Sequence, residues 1–284
     1  MKISSDKVMK LRKRTGVGIM DCKKALIKSN GNFDDAVNFL RKKGKKIAIN
    51  RSSFEMKEGG VLSSISEDQT FGTIVGLSCE TDFLSKSSIF LNFLKELSIH
   101  SLFHNNKQEF LSSSIFPYNK SVKDIIHEKI SVVGELLELK IFERIDSPFV
   151  KDYTHINNKI ATLVGFSSKE GIDDSIAKNI AMHITAMNPI AIDENGIPDS
   201  LMKKEIDIIR YQVENDKKTN AVISDKIVQG KLNKFILENT LIHQNFIKNN
   251  KITVQEYLNG FNKNLKILLY KRRTLSEFSE KKRK

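Results

Sequence analysis

Thr73-Ile74-Val75-Gly76-Leu77-Ser78 and Thr162-Leu163-Val164-Gly165-Phe166-Ser167 read alike, position by position. Each sets strand-forming apolar residues around one glycine. Each is followed, after a short connection, by an amphipathic helix. Phe90, Phe93, Leu94 and Leu97 form one stripe; Ile176, Ile180 and Ile184 form the other. A buried strand can read Thr-apolar-apolar-Gly-apolar without kinship. The shared order of strand and helix favours a repeat, and hence two related α+β halves facing each other.

Outward from the first copy, Val61–Ser66 and Phe71–Cys79 are expected as strands around the turn Glu67-Asp68-Gln69. A helical stretch follows from about Phe83 to Phe103. Asn105–Tyr118 is polar and irregular. Val122–Val133 is helical and ends at Gly134, and Leu136–Ile145 alternates like a strand. Around the second copy, Asp173–Met187 is a helix stopped by Asn188-Pro189. Upstream, residues 5–43 predict three short helices. Ser5 caps the first, which carries Val8 and Leu11. Gly16 and Gly18 break it, and the second runs from about Asp21 to Ser29. Asn32 caps the third, whose stripe is Phe33, Ala36, Val37 and Leu40. So small a unit suits docking better than catalysis. Residues 41–51 read as a basic linker. Downstream, residues 199–238 read as two charged helices with too little apolar surface to stand alone. Thr240–Gly260 is mixed, residues 262–278 predict a last helix, and Glu280–Lys284 a frayed tail. The division is therefore 1–51, docking module and linker; 52–145, first core half; 146–198 with 239–261, second core half; 199–238, helical arm; 262–284, C-terminal helical module and tail.

The chain has 284 residues with 47 Lys+Arg against 34 Asp+Glu, a net charge of +13. Such a surplus points to a polyanion or an acidic protein face. Cys22 and Cys79 cannot make a disulfide framework or a four-thiolate zinc site. They read as two reduced buried thiols in a reducing compartment. No apolar run is long enough to span a bilayer, and Met1–Asp6 lacks the apolar stretch of a signal peptide. A cytoplasmic location is expected. A phosphate-cradling glycine loop, a His-Glu-x-x-His pair, a Gly-x-Ser-x-Gly elbow and a Cys-x-x-Cys are all missing, so an enzyme, a cofactor and a metal are not expected. His100 and His104 stand four apart, with no carboxylate or thiol close in sequence to make them a metal site.

Three segments go beyond composition: Leu11-Arg12-Lys13-Arg14-Thr15-Gly16-Val17-Gly18-Ile19-Met20-Asp21-Cys22-Lys23-Lys24-Ala25-Leu26; Cys79-Glu80-Thr81-Asp82-Phe83-Leu84; and Ile180-Ala181-Met182-His183-Ile184-Thr185-Ala186 before Pro189. In this order they closely resemble the bacterial elongation factor Ts family, nucleotide exchange factors of the GTPase elongation factor Tu. Val228–Phe235 is similar to that family's second hairpin helix. The resemblance implies a ubiquitin-associated-like three-helix module, a core of two related α+β subdomains, a protruding helical hairpin that dimerises, and a C-terminal helical module. It also implies elongation factor Tu as partner and guanine-nucleotide exchange as function. Thr81, Asp82, Phe83 and Leu84 become the exchange lever, with Asp82-Phe83 intruding near the partner's magnesium site. By residue type alone, Phe83 could equally be core at a helix start and Asp82 its N-cap. Further partner contacts are implied at Arg12 and Lys23 in the docking module, Val133 and Gly134, His183, and Ile247 with Lys248, where Lys248 replaces an apolar family contact. By residue type, Gly134 is a helix C-cap and His183 a satisfied half-buried imidazole. The competing reading is a basic RNA- or ribosome-binding protein, motivated by the runs at 41–51 and 271–284. It lacks the aromatic motif of a single-strand platform, and specific nucleic-acid binding is not expected.

Overall fold

Both copies of the repeat become the middle strand of a three-stranded antiparallel sheet. The computed structural model describes residues 3–50, 56, 58–115, 119–214 and 221–278. Three helices open it: α1 (Ser5–Thr15), α2 (Ile19–Lys28) and α3 (Phe33–Asn50). The first half follows as β1 (Glu58–Ile65), β2 (Phe71–Cys79), α4 (Asp82–Ser85), α5 (Ser88–Ser101), α6 (Lys107–Ser112), β3 (Ser114–Ile115), β4 (Lys120–Ser121), α7 (Val122–Val133) and β5 (Glu138–Asp146). The second half has β6 (Phe149–Thr154), β7 (Ile160–Phe166) and α8 (Asp174–Met187). The hairpin α9 (Asp199–Glu214) and α10 (Ala221–Asn239) interrupts it. Then come β8 (Asn245–Phe246), β9 (Asn249–Thr253), α11 (Val254–Asn259) and β10 (Ile267–Thr274).

Sheet order is β1-β2-β5 in one half and β6-β7-β10 in the other. In each, the strand before the repeat lies on one side of it and the strand after the helix on the other. Alternation along the repeat sends side chains two ways. Val75 and Leu77 face α5, and Val164 and Phe166 face α8. Ile74 and Leu163 meet between the sheets with Val61, Ile141, Ile145, Val150, Ala161 and Leu275. The layers are therefore helix, sheet, sheet, helix. Even the threonines correspond: Thr73 Oγ1 lies 2.6 Å from Ser101 Oγ on α5, and Thr162 Oγ1 lies 2.8 Å from Thr185 Oγ1 on α8. Both middle strands carry a register shift against the third strand at the same place, beside Gly76 and beside Gly165.

Four expectations are corrected. Residues 262–278 are not a C-terminal helix: β10 supplies the third strand of the second sheet, and a short 3₁₀ turn, Leu275–Phe278, follows. Residues 41–50 are not a linker but the continuation of α3, which packs along α7. A Cβ on Gly44 would run into the Ser131 hydroxyl and the His127 carbonyl, so the glycine permits that close crossing. Arg41 pairs with Glu128, which also binds Lys120 Nζ at 2.9 Å, and Lys43 pairs with Asp21 at 2.6 Å. Finally, the 105–118 stretch contains α6, capped by Asn106. The cap of α1 is Ser4 rather than Ser5. The tail at 280–284 and the arm's turn at 217–220 lie outside the described residues.

Candidate functional site

At the end of β2 the chain turns sharply into the one-turn helix α4. Thr81 is its N-cap, accepting a hydrogen bond from Leu84 N at 3.3 Å. Asp82 is therefore the first helical residue and not the cap, and its carboxylate points along the exposed side to Lys86 Nζ at 2.8 Å. That hydrogen bond holds the Asp82 carboxyl below its usual range and the Lys86 ammonium above its own. Leu84 packs on the core between sheet and α5. Phe83 does the reverse and is 84 % exposed. A phenylalanine left in water forgoes about 1.5–3 kcal/mol of burial. As core, Phe83 is excluded.

The loop after α7 meets this turn. Gly134 caps α7 in the left-handed region, φ 78°, with open space around its missing Cβ. Its neighbour Glu135 accepts from Thr81 N at 3.0 Å and from Thr81 Oγ1 at 2.6 Å. Reciprocally, Glu80 accepts from Leu136 N at 2.8 Å. The Cys79 thiol donates to the Thr81 carbonyl at 3.2 Å; burial, then the Glu135 carboxylate, push its pKa up to about 12, so it stays protonated. Thr81–Leu84 and Val133–Gly134 are thus brought side by side. Glu80 and Glu135, which join them, were missed by sequence reasoning; the partners stand 54 residues apart.

A second constellation belongs to the other half. His183 on α8 is fully buried. Its Nδ1 accepts from Ile247 N at 3.2 Å, which leaves Nε2 to donate to Gln244 Oε1 at 3.0 Å. Burial lowers its pKa. In the chain alone His183 therefore does not reach the surface; what it holds out is the Ile247-Lys248 turn. Ile247 is half-exposed, and Lys248 Nζ binds Asn179 Oδ1 at 2.6 Å. Arg12 and Lys23 stand apart from both, exposed on α1 and α2. The same two helices expose Met9, Ile19 and Met20. Sequence reading passed over these apolar side chains because they lie outside the helices' inward stripes.

The elongation factor Ts family model matches residues 80–277, from the first residue after β2 to just beyond β10. The chain belongs to the elongation factor Ts family. It is 41% identical over 274 residues to elongation factor Ts of Flavobacterium psychrophilum, covering 96% of this chain and 98% of that one. Against elongation factor Ts of Christiangramia forsetii it is 39% identical over 271 residues, 95% and 98% of the two chains. Against that of Clostridium botulinum it is 37% identical over 265 residues, 90% and 85%. As a member of the elongation factor Ts family it is a translation elongation factor. Among the described residues, no helix is long and apolar enough to cross a membrane.

Proposed function

We propose that the chain is the guanine-nucleotide exchange factor of elongation factor Tu, acting in the cytoplasm, and that Asp82-Phe83 is its lever. The supporting observation is the exposure of Phe83 on a turn that is anchored at Thr81 and Leu84. An exchange factor works by binding its GTPase more tightly without nucleotide than with it; linkage then weakens the nucleotide by the same free energy. Burying Phe83 in the partner releases the burial energy forgone in the free chain. About 1.4 kcal/mol per tenfold places roughly one to two decades of rate within reach of this side chain. Asp82 is held only by an exposed lysine, a pairing easily exchanged for a competing site near the partner's magnesium and phosphates.

Docking comes from elsewhere. Arg12 and Lys23, beside exposed Met9, Ile19 and Met20, suit an acidic face with apolar pockets. Val133-Gly134 offers close backbone approach next to the lever. His183 acts through Ile247 and Lys248 rather than by touch. We further propose residues 1–51 as the docking module and 199–238 as an arm that pairs with a second copy through exposed Ile208, Tyr211, Ile227 and Leu237. The RNA-binding alternative loses part of its motive, since Arg41 and Lys43 are engaged with Glu128 and Asp21. The test is release of fluorescent GDP from elongation factor Tu. Wild type is expected to accelerate release, and Phe83→Ala to lose about ten- to a hundredfold of the acceleration while melting normally. No acceleration by wild type would sink the proposal.

A further inference from the structure

We infer that Glu135 is a positioning residue for the lever: its carboxylate, reaching across from the loop after α7, sets the orientation of the Thr81 cap and through it the direction of Asp82-Phe83. The inference rests on the exchange reading above and adds a residue to it.

Four residues are too few for a helix to hold itself. α4 therefore needs its direction set from outside. The Thr81 hydroxyl has one hydrogen to give. It goes to Glu135 Oε1 at 2.6 Å, and this turns the oxygen lone pairs toward Leu84 N at 3.3 Å. Glu135 Oε2 takes Thr81 N as well, at 3.0 Å. One carboxylate thus fixes backbone and side chain of the cap together, and hydrogen bonds to a charged acceptor are roughly twice as strong as neutral ones. Glu80 returns the tie to Leu136 N at 2.8 Å, so neither loop can rotate without the other. Within α4, Ser85 Oγ donates to Asp82 O at 2.9 Å and Leu84 sinks into the core. Of the two apolar side chains on the turn, Phe83 alone is left pointing out. Without the brace the turn would still exist, yet Phe83 would sample many directions. Each insertion into a partner would then carry the entropy of ordering it.

Such a residue reveals itself in the rate at saturation more than in affinity, because most of the proposed docking surface lies away from it, on α1 and α2 and at Ile247-Lys248. Fluorescent GDP release from elongation factor Tu is measured against factor concentration for wild type, Thr81→Val, Thr81→Ser, Glu135→Ala, Phe83→Ala and the double variant Thr81→Val/Glu135→Ala. Valine is isosteric with threonine and removes only the hydroxyl; serine restores it. Thr81→Val and Glu135→Ala are each expected to lower the saturating release rate about tenfold, as losing a charge-assisted hydrogen bond implies. The concentration giving half-maximal release should move less than about twofold. Thr81→Ser should stay near wild type, and the double variant should be no slower than the worse single one. Circular dichroism melts accompany each variant. Full saturating rates in Thr81→Val and Glu135→Ala, with Phe83→Ala slowed, would overturn the brace and leave the lever standing. An unaffected Phe83→Ala would instead overturn the lever itself. Fully additive losses in the double variant would also overturn the brace, since independent contributions are not one device.

Discussion

Gly76 and Gly165 show how one residue can set the spacing of a layered fold. A Cβ on Gly76 would lie 2.7 Å from Ile141 Cδ1 and 2.8 Å from Ile141 Cβ. On Gly165 it would lie 2.9 Å from Leu269 Cδ2 and 2.8 Å from Ser147 Cβ. Ile141 and Leu269 are the register partners of these glycines and fill the space between the two sheets. Neither glycine has the positive φ that would require it. The need is room: a large side chain from the third strand lies over each. Gly76→Ala drives a methyl against the stem of a β-branched neighbour, which cannot swing aside. It should cost about 2 kcal/mol, in the range for overpacked cores, read as a lower urea midpoint at unchanged slope. A wild-type midpoint would show that the sheets have slack. At the same scale, the exposure of Phe83 was not legible in sequence. Phe83 and Leu84 are adjacent apolar residues in a turn too short to have a period, so only the structure separates the outward one from the inward one.

Among the elements, β10 carries the clearest lesson. Its apolar run Ile267-Leu268-Leu269-Tyr270 fits a strand or a helix, and periodicity does not choose between them for so short a run. The register shift between Ile267 and Leu269 makes matters worse. It sends Ile267 and Tyr270, three apart, onto the α8 core, and Leu269 onto the core between the sheets. A bulged strand thus imitates a helical stripe. In β5 the same shift puts Leu139 and Phe142 on the α5 core and Ile141 between the sheets. There the longer alternating stretch kept its strand character readable. The repeat itself held the missing signal: a half built as strand, strand, helix, strand demands a counterpart for Leu136–Ile145, and only residues after 260 remain to supply it. The resemblance to elongation factor Ts worked the other way, suggesting a helical module for the same residues. Legible from the start were the elements whose boundaries are written locally, such as α7 between Ser121 and Gly134, and α8 between Asp173 and Asn188. If β10 is integral to the second half, Ile267→Ala should cost about 3 kcal/mol. Amide exchange should quicken in β7, its neighbour in the sheet, from which α8, the hairpin, β8, β9 and α11 separate it in the chain. Loss confined to residues beyond 262 would mean that β10 is an appendage.

For the whole molecule, the net charge of +13 is less informative than where charge and protons are held. Of the basic run in α3, Arg41 ties the helical module to α7 through Glu128, which Lys120 of β4 also binds. α7 in turn ends at Gly134-Glu135, beside the Thr81–Leu84 turn. The proposed docking surface and the proposed lever are thereby held on one frame. The stability of that frame should depend on pH through two histidines. His183 is wholly buried and has both ring nitrogens engaged. Its pKa is lowered from 6.5 mainly by burial; that of His100 is lowered by burial and then by neighbouring His104. Both are harder to protonate folded than unfolded. Above about pH 6.5 neither state binds the proton and their contribution is intact. As pH falls below that value the unfolded chain takes up protons that the folded one refuses, and stability drops until the folded pKa values are passed. Each histidine contributes a slope of at most about 1.4 kcal/mol per pH unit. The carboxylates held low by hydrogen bonds, Asp82, Glu109 and Asp174 among them, act in a separate and more acidic window. Urea unfolding at pH 7.5, 6.5 and 5.5 should therefore give similar stability at the first two and a clear loss at the third. His183→Gln, less stable at every pH, should show a shallower fall. Equal wild-type stability at pH 7.5 and 5.5 would mean that the imidazoles accept protons in place, and that the Gln244–His183–Ile247 chain opens without unfolding the second half.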